Sequence, residues 1–205
     1  MLINDSITEY LAKAAAGTAV PGGGSVAALN AALAASLTEM VANLTVGKKG
    51  YEAVEEEMKE LADKAAQLRD TLTASIDKDA DAYTEVMAAY RLPKTTDEEI
   101  ALRKQKIQDA IKHAALVPLV VAREALQVID LAGSTIRKGN KNAASDGAVA
   151  AMNARTAALA AIYNVKINLS SIKDDAFVQK LVQEVEDLQN QAAEMENEAL
   201  SHVEI

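Results

Sequence analysis

From Ser6 onward, long segments in which apolar side chains recur every three or four residues alternate with short breaks rich in glycine, proline or charge. That period is the helical one, and no stretch alternates residue by residue as a half-buried strand does. Ser6-Ile7-Thr8-Glu9 has the serine-to-glutamate spacing of a capping box, so a short first helix is predicted from Ser6 to about Ala16. Val20-Pro21-Gly22-Gly23-Gly24 stops it. A second helix follows from Ser25 to about Val46, very rich in alanine (Ala27, Ala28, Ala31, Ala32, Ala34, Ala35). A helix apolar on nearly every side is buried on most sides.

After the turn Gly47-Lys48-Lys49-Gly50, the helical rhythm holds from Tyr51 to Arg91 and ends before Pro93. Val54, Met58, Leu61, Ala65, Leu68, Leu72, Ser75 and Ala82 form one stripe that faces a core, with Glu and Lys on the wet side. Thr96-Asp97-Glu98-Glu99 is a second capping box, opening a helix to about Leu131 that Pro118 is expected to kink. Gly133 to Ala144, with Arg137, Lys138, Asn140, Lys141 and Asn142, reads as a polar, basic loop. Ser145-Asp146 then caps another alanine-rich helix to Ser170 or Ser171, and Asp174-Asp175 opens a last amphipathic helix ending near His202. The pattern predicts one all-α domain over residues 1–205: an elongated bundle of about five long helices plus a short N-terminal one.

Composition sharpens that picture. Half of the 205 residues are apolar but only 3% are aromatic, so the core is built from small side chains and the helix backbones approach one another closely. The absence of cysteine removes disulfides, thiolate chemistry and the soft metal ligands. A net charge of −9 disfavours a phosphate backbone as partner, so no nucleic acid is expected. The first residues lack the basic and apolar stretches of a signal peptide, and no charge-free apolar run reaches membrane-spanning length; the expected address is the cytoplasm, with no membrane partner.

Candidate chemistry is sparse. Gly22, Gly23, Gly24 and Ser25 lead into a helix whose free N–H groups suit a ligand approaching closely, although a tight packed connection explains the glycines equally well. It is not a P-loop, lacking both the Gly-Lys-Ser/Thr ending and a preceding strand. Asp77 and Asp81 share a face of the third helix while Asp79 points elsewhere; the interleaved Ala80, Ala82 and Tyr83 place part of this segment in the core, where a carboxylate needs a partner. Lys48, Lys49 and the stretch Arg137 to Lys141 concentrate positive charge on an acidic chain, as an anionic ligand tail would require, or as solvated turns would show. His113, among Ile111, Ala114 and Ala115, reads as a partly buried structural histidine, and His202 as a residue at a helix end. A zinc deaminase's ligand set is absent, and no metal is expected.

Pro21-Gly22-Gly23-Gly24-Ser25-Val26-Ala27-Ala28, Met40 through Lys49, Tyr51-Glu52, Asp79-Ala80-Asp81-Ala82-Tyr83, Tyr90 through Lys94, Arg103, Val117-Pro118, Lys138-Gly139-Asn140, Ser145-Asp146 and Asn164 through Leu169 stand together in order and approximate spacing. As a set they resemble the formiminotetrahydrofolate cyclodeaminase and methenyltetrahydrofolate cyclohydrolase family along nearly the whole chain. The resemblance implies a helical homodimer with sites near the subunit interface. It implies a tetrahydrofolate derivative as substrate, no permanently bound cofactor, and a separate formiminotransferase as possible partner. Of the two reactions, it points first to closure of 5-formiminotetrahydrofolate to 5,10-methenyltetrahydrofolate with loss of ammonia; the alternative is hydrolysis of the methenyl ring to 10-formyltetrahydrofolate. A bundle that binds folate without turnover is a further alternative. Either reaction needs a positioned carboxylate for proton transfer. Asp79 is the first candidate; Asp146 is the second, although capping alone also explains it. Gly22 to Ser25 and Asn43 are expected to cradle the ligand, and Lys48, Lys49 and Arg137 to meet its glutamate tail.

Overall fold

The computed structural model describes residues 1–204, and among them there is no strand. Six helices follow in order: α1 Ile7–Ala14, α2 Gly23–Asn43, α3 Glu55–Tyr90, α4 Asp97–Lys138, α5 Ala144–Leu169 and α6 Asp175–Ser201. Both predicted capping boxes form: Ser6 and Glu9 close α1, and Thr96 and Glu99 close α4. Short connections fold each long helix back along its predecessor. α2 packs on α3 and α5, α4 on α3 and α5, and α6 on α4 and α5. At 1.5 Å per residue, α3 and α4 are rods of about 50 and 60 Å, so the bundle is elongated.

Alanine makes the centre. Ala27, Ala28, Ala31, Ala34 and Ala35 of α2, and Ala150, Ala151, Ala154, Ala157, Ala158 and Ala161 of α5, are wholly inaccessible. The predicted stripe of α3 is buried at Met58, Leu61, Ala65, Leu72, Ser75 and Ala82, with Val54 and Leu68 at its margin. By length and composition α2 is apolar enough to cross a bilayer, a possibility the charge of Glu39 conceals in the sequence. Here it is a core helix clamped between α3 and α5.

Two helix boundaries and the burial of one histidine differ from expectation. α4 does not stop near Leu131; it runs through the buried Pro118 to Lys138, so Gly133–Lys138 is helix rather than loop. Gly133 allows this because α6 passes close by: a β-carbon on it would stand 3.3 Å from that of Ala199. Ser145 and Asp146 do not cap α5, which begins at Ala144 directly after the 3-10 turn Lys141–Ala143, leaving both in its first turn. His113 is exposed, its Nδ1 2.8 Å from Glu85 Oε2.

Candidate active site

The glycine run is a helix start rather than a loop. Gly22 is the N-cap of α2, after a cis Val20-Pro21 bond, and Gly23 and Gly24 already belong to the first turn. Gly22 offers no capping side chain. Asp79 of α3 takes that role: its Oδ2 lies 3.1 Å from Ser25 Oγ, and the Ser25 backbone N–H also donates to it. Gly24 permits the approach. A β-carbon there would fall 2.0 Å from Asp79 Oδ1 and 2.5 Å from its Cγ, well inside contact distance. Across the same turn, a β-carbon on Gly23 would meet Asn164 Nδ2 of α5 at 3.2 Å.

Burial pushes the Asp79 carboxyl above the usual carboxylate range, against the opposing effect of the two Ser25 donors. Ser25 can serve either protonation state. Its wholly buried hydroxyl lies 3.0 Å from the Ile76 carbonyl as well as 3.1 Å from Asp79. With Asp79 protonated, the acid donates to Ser25 and Ser25 donates to Ile76; with Asp79 ionised, the Ser25 backbone N–H and hydroxyl remain as donors. A carboxyl held where both states are accommodated is suited to passing a proton.

The remaining expected site residues are not here. Asn43 ends α2, 21 residues and about 30 Å from the glycine turn. The Gly47–Gly50 turn carrying Lys48 and Lys49 sits at that far end, where Asn140 donates its backbone N–H to Thr45 Oγ1 and the N–H of Lys141 donates to the Tyr51 hydroxyl. Asp146, in the first turn of α5, shares this end. Gly47 and Gly50 have φ of +70° and +92°, which shapes the lysine turn. Neither Lys48 nor Lys49 has an ion-pair partner among the described residues, whereas Arg137 is held by Glu198, 2.9 Å away, and Lys138 by Glu57. One chain therefore unites Gly22–Ser25 with Asp79 and separates them from Asn43, Lys48, Lys49, Arg137 and Asp146. Asn164 joins the first group without having been singled out for a role; its place in the stretch Asn164–Leu169 was the available signal.

The model of the formiminotransferase-cyclodeaminase family matches residues 6–187. The methenyltetrahydrofolate cyclohydrolase of Methylorubrum extorquens is 44% identical over 185 residues, 90% of this chain and 89% of that one. The formimidoyltransferase-cyclodeaminase of Rattus norvegicus is 34% identical over 191 residues; the match takes in 93% of this chain but only 35% of that longer protein. The crystal structure of formiminotetrahydrofolate cyclodeaminase from Thermotoga maritima superposes with a TM-score of 0.88 over 99% of this chain and 98% of its own, at 32% identity. With its helical bundle and its buried carboxyl against a glycine turn, the chain belongs to the formiminotransferase-cyclodeaminase family and is an enzyme of folate one-carbon chemistry.

Proposed function

We propose that the chain is a methenyltetrahydrofolate cyclohydrolase, converting 5,10-methenyltetrahydrofolate and water to 10-formyltetrahydrofolate. The observation that carries this is Asp79, a half-buried carboxyl that burial raises above the usual carboxylate range, at the start of α2 with Ser25 serving both of its protonation states. Water adds to the methenyl carbon while Asp79 takes one of its protons. The carbon–N5 bond then breaks as Asp79 returns that proton to N5, and the hydroxyl proton of the tetrahedral carbon leaves to solvent as the formyl carbonyl forms. While Asp79 is ionised, its charge also favours the cationic methenyl carbon.

The likeness to the Methylorubrum cyclohydrolase, 44% over nearly the whole of both chains, favours this reaction over the cyclodeamination expected from sequence. Cyclodeamination is the second reading, favoured by the match to the Thermotoga cyclodeaminase along 99% of this chain. In it the same carboxyl takes the N10 proton as N10 attacks the formimino carbon, then hands it to departing ammonia. The purified chain is offered each substrate in turn while methenyl absorbance is followed. Loss of absorbance without turnover of the formimino compound supports cyclohydrolase; appearance of methenyl from the formimino compound reverses the assignment. Binding of both without turnover leaves a folate-binding bundle.

A complete site in this reading takes two copies. Leu33, Met40 and Leu44 on α2, and Val149, Met152, Tyr163 and Ile167 on α5, keep exposed apolar side chains at helical spacing on two helices that pack together. A two-fold axis across that face sets the glycine turn of one copy beside the lysine turn of the other. Asp79 then works on the pterin while Lys48 and Lys49 of the second copy hold the glutamate tail.

A further inference from the structure

α2 begins at Gly23, its first turn set against Asp79, and α3 continues past that point to Tyr90. Tyr83 is the first large side chain on this overhang. It stands four residues after Asp79, which on a helix is the same face, with β-carbons about 5–6 Å apart. Its side chain also leans the right way: a helical residue covers the turn before its own, and for Tyr83 that turn carries Asp79. The neighbouring Ala82 enters the core, as the sequence pattern predicts, whereas Tyr83 is 42% exposed. A large apolar ring thus lies open to solvent one turn from the carboxyl that carries the proton.

Charge singles this ring out. Tyr83, Tyr90 and Tyr163 are the exposed tyrosines among the described residues. Arg103 stands 5.8 Å from the centre of the Tyr90 ring, and Lys166 5.8 Å from that of Tyr163. Among the described residues no cation stands over Tyr83, and Asp79 is bonded to Ser25 with no Lys, Arg or His paired to it. An uncovered π-face next to an uncompensated carboxyl is a place for a flat cation from outside the chain. In the reaction proposed above, the methenyl carbon lies between N5 and N10 in a planar amidinium, the cationic part of the substrate. We infer that Tyr83 is a substrate-orienting residue, its ring stacking on one face of the N5–carbon–N10 plane and leaving the opposite face open to water. Addition of water makes the carbon tetrahedral and neutral, so the attraction ends with the step it prepares. Because the contact belongs to the bound substrate rather than to the transition state, it lowers KM and does not raise kcat.

The role rests on the proposed reaction, and the two fail separately. In the full-length protein, Tyr83→Leu removes the ring but keeps an apolar side chain, and Tyr83→Phe keeps the ring. Tyr83→Leu is expected to raise KM for 5,10-methenyltetrahydrofolate about tenfold with kcat little changed. The inhibition constant of 10-formyltetrahydrofolate, whose one-carbon unit is neutral, is expected to rise by no more than about twofold. Tyr83→Phe is expected to match the parent in both. Three results overturn the inference: an unchanged KM in Tyr83→Leu, equal weakening of the methenyl and formyl compounds, or a Tyr83→Phe as impaired as Tyr83→Leu. The first leaves the ring idle, the second makes it a neutral wall, and the third assigns the effect to the hydroxyl. Should Tyr83→Leu lose its helical circular dichroism signal, Tyr83→Gln takes its place in the same comparison. A parent that does not consume the methenyl compound overturns the cyclohydrolase reading instead. Dissociation constants of the two compounds, from absorbance titration, then carry the same comparison, and equal weakening in Tyr83→Leu again overturns the role of the ring.

Discussion

At Gly24 the site depends on the absence of a side chain. Gly24→Ala sets a methyl 2.0 Å from Asp79 Oδ1, so the carboxyl must leave its place against Ser25. Turnover is expected to fall by at least about a hundredfold while the helical circular dichroism signal survives, because general acid–base catalysis of that order depends on placement. Gly23→Ala presses only on the amide of Asn164 at 3.2 Å and is expected to keep most activity; equal loss in both would show that the turn itself, not the carboxyl, is what glycine protects. Asp79→Asn is expected to cost at least about a hundredfold in turnover without loss of stability. The sign follows from the direction of the shift. A carboxyl whose folded pKa lies above its unfolded value favours the folded state below the unfolded pKa, and that contribution is lost as pH rises through the folded pKa. Above the folded pKa the ionised group is therefore a burden that asparagine relieves. Thermal melts are expected to show Asp79→Asn at least as stable as the parent at neutral pH, with the gap closing in acid; a variant less stable at neutral pH contradicts the burial argument.

At the level of helices, most of the fold was legible because each element announced itself twice, by period and by punctuation. The serine and threonine caps placed the starts of α1 and α4 at the residue, and Ala27 to Ala35 marked α2 as central. What failed was the end of α4. Gly133, Ser134 and Gly139 look like loop residues in sequence, yet tertiary packing overrides propensity: Gly133 is buried beside Ala199, and Gly139 ends the helix against the Thr135 carbonyl. Gly139→Ala would put a methyl 2.4 Å from that carbonyl oxygen. It is expected to lower stability by about 1–3 kcal/mol, read as a fall of several degrees in melting temperature; no fall would mean the helix end yields freely. The site was half legible for a related reason. Asp79 and the glycines are joined by contacts between α2 and α3 that spacing alone does not reveal.

For the whole molecule, length is the governing quantity. Lys48 and Lys49 lie about 30 Å from Asp79 along α2, so in the proposed reading they meet the substrate only from a second copy. Replacing both by alanine is expected to raise KM several-fold for a polyglutamylated substrate, with kcat little changed and the penalty shrinking as salt rises. Tyr163→Glu combined with Ile167→Glu, both strongly exposed on α5, is expected to yield a monomer by light scattering that has lost turnover but not helicity; a dimer of full activity would assign the interface elsewhere. The alanine core gives this bundle an unusual mutational profile. Most domains are wounded by trimming large interior side chains, but at Ala31, Ala154 or Ala158 there is almost nothing to trim. Growth is the danger, since each added methylene must wedge two rods apart along their length. Drifting lineages of such a protein would find their permitted changes bounded from above by volume, with serine and glycine admitted where valine and leucine are turned away.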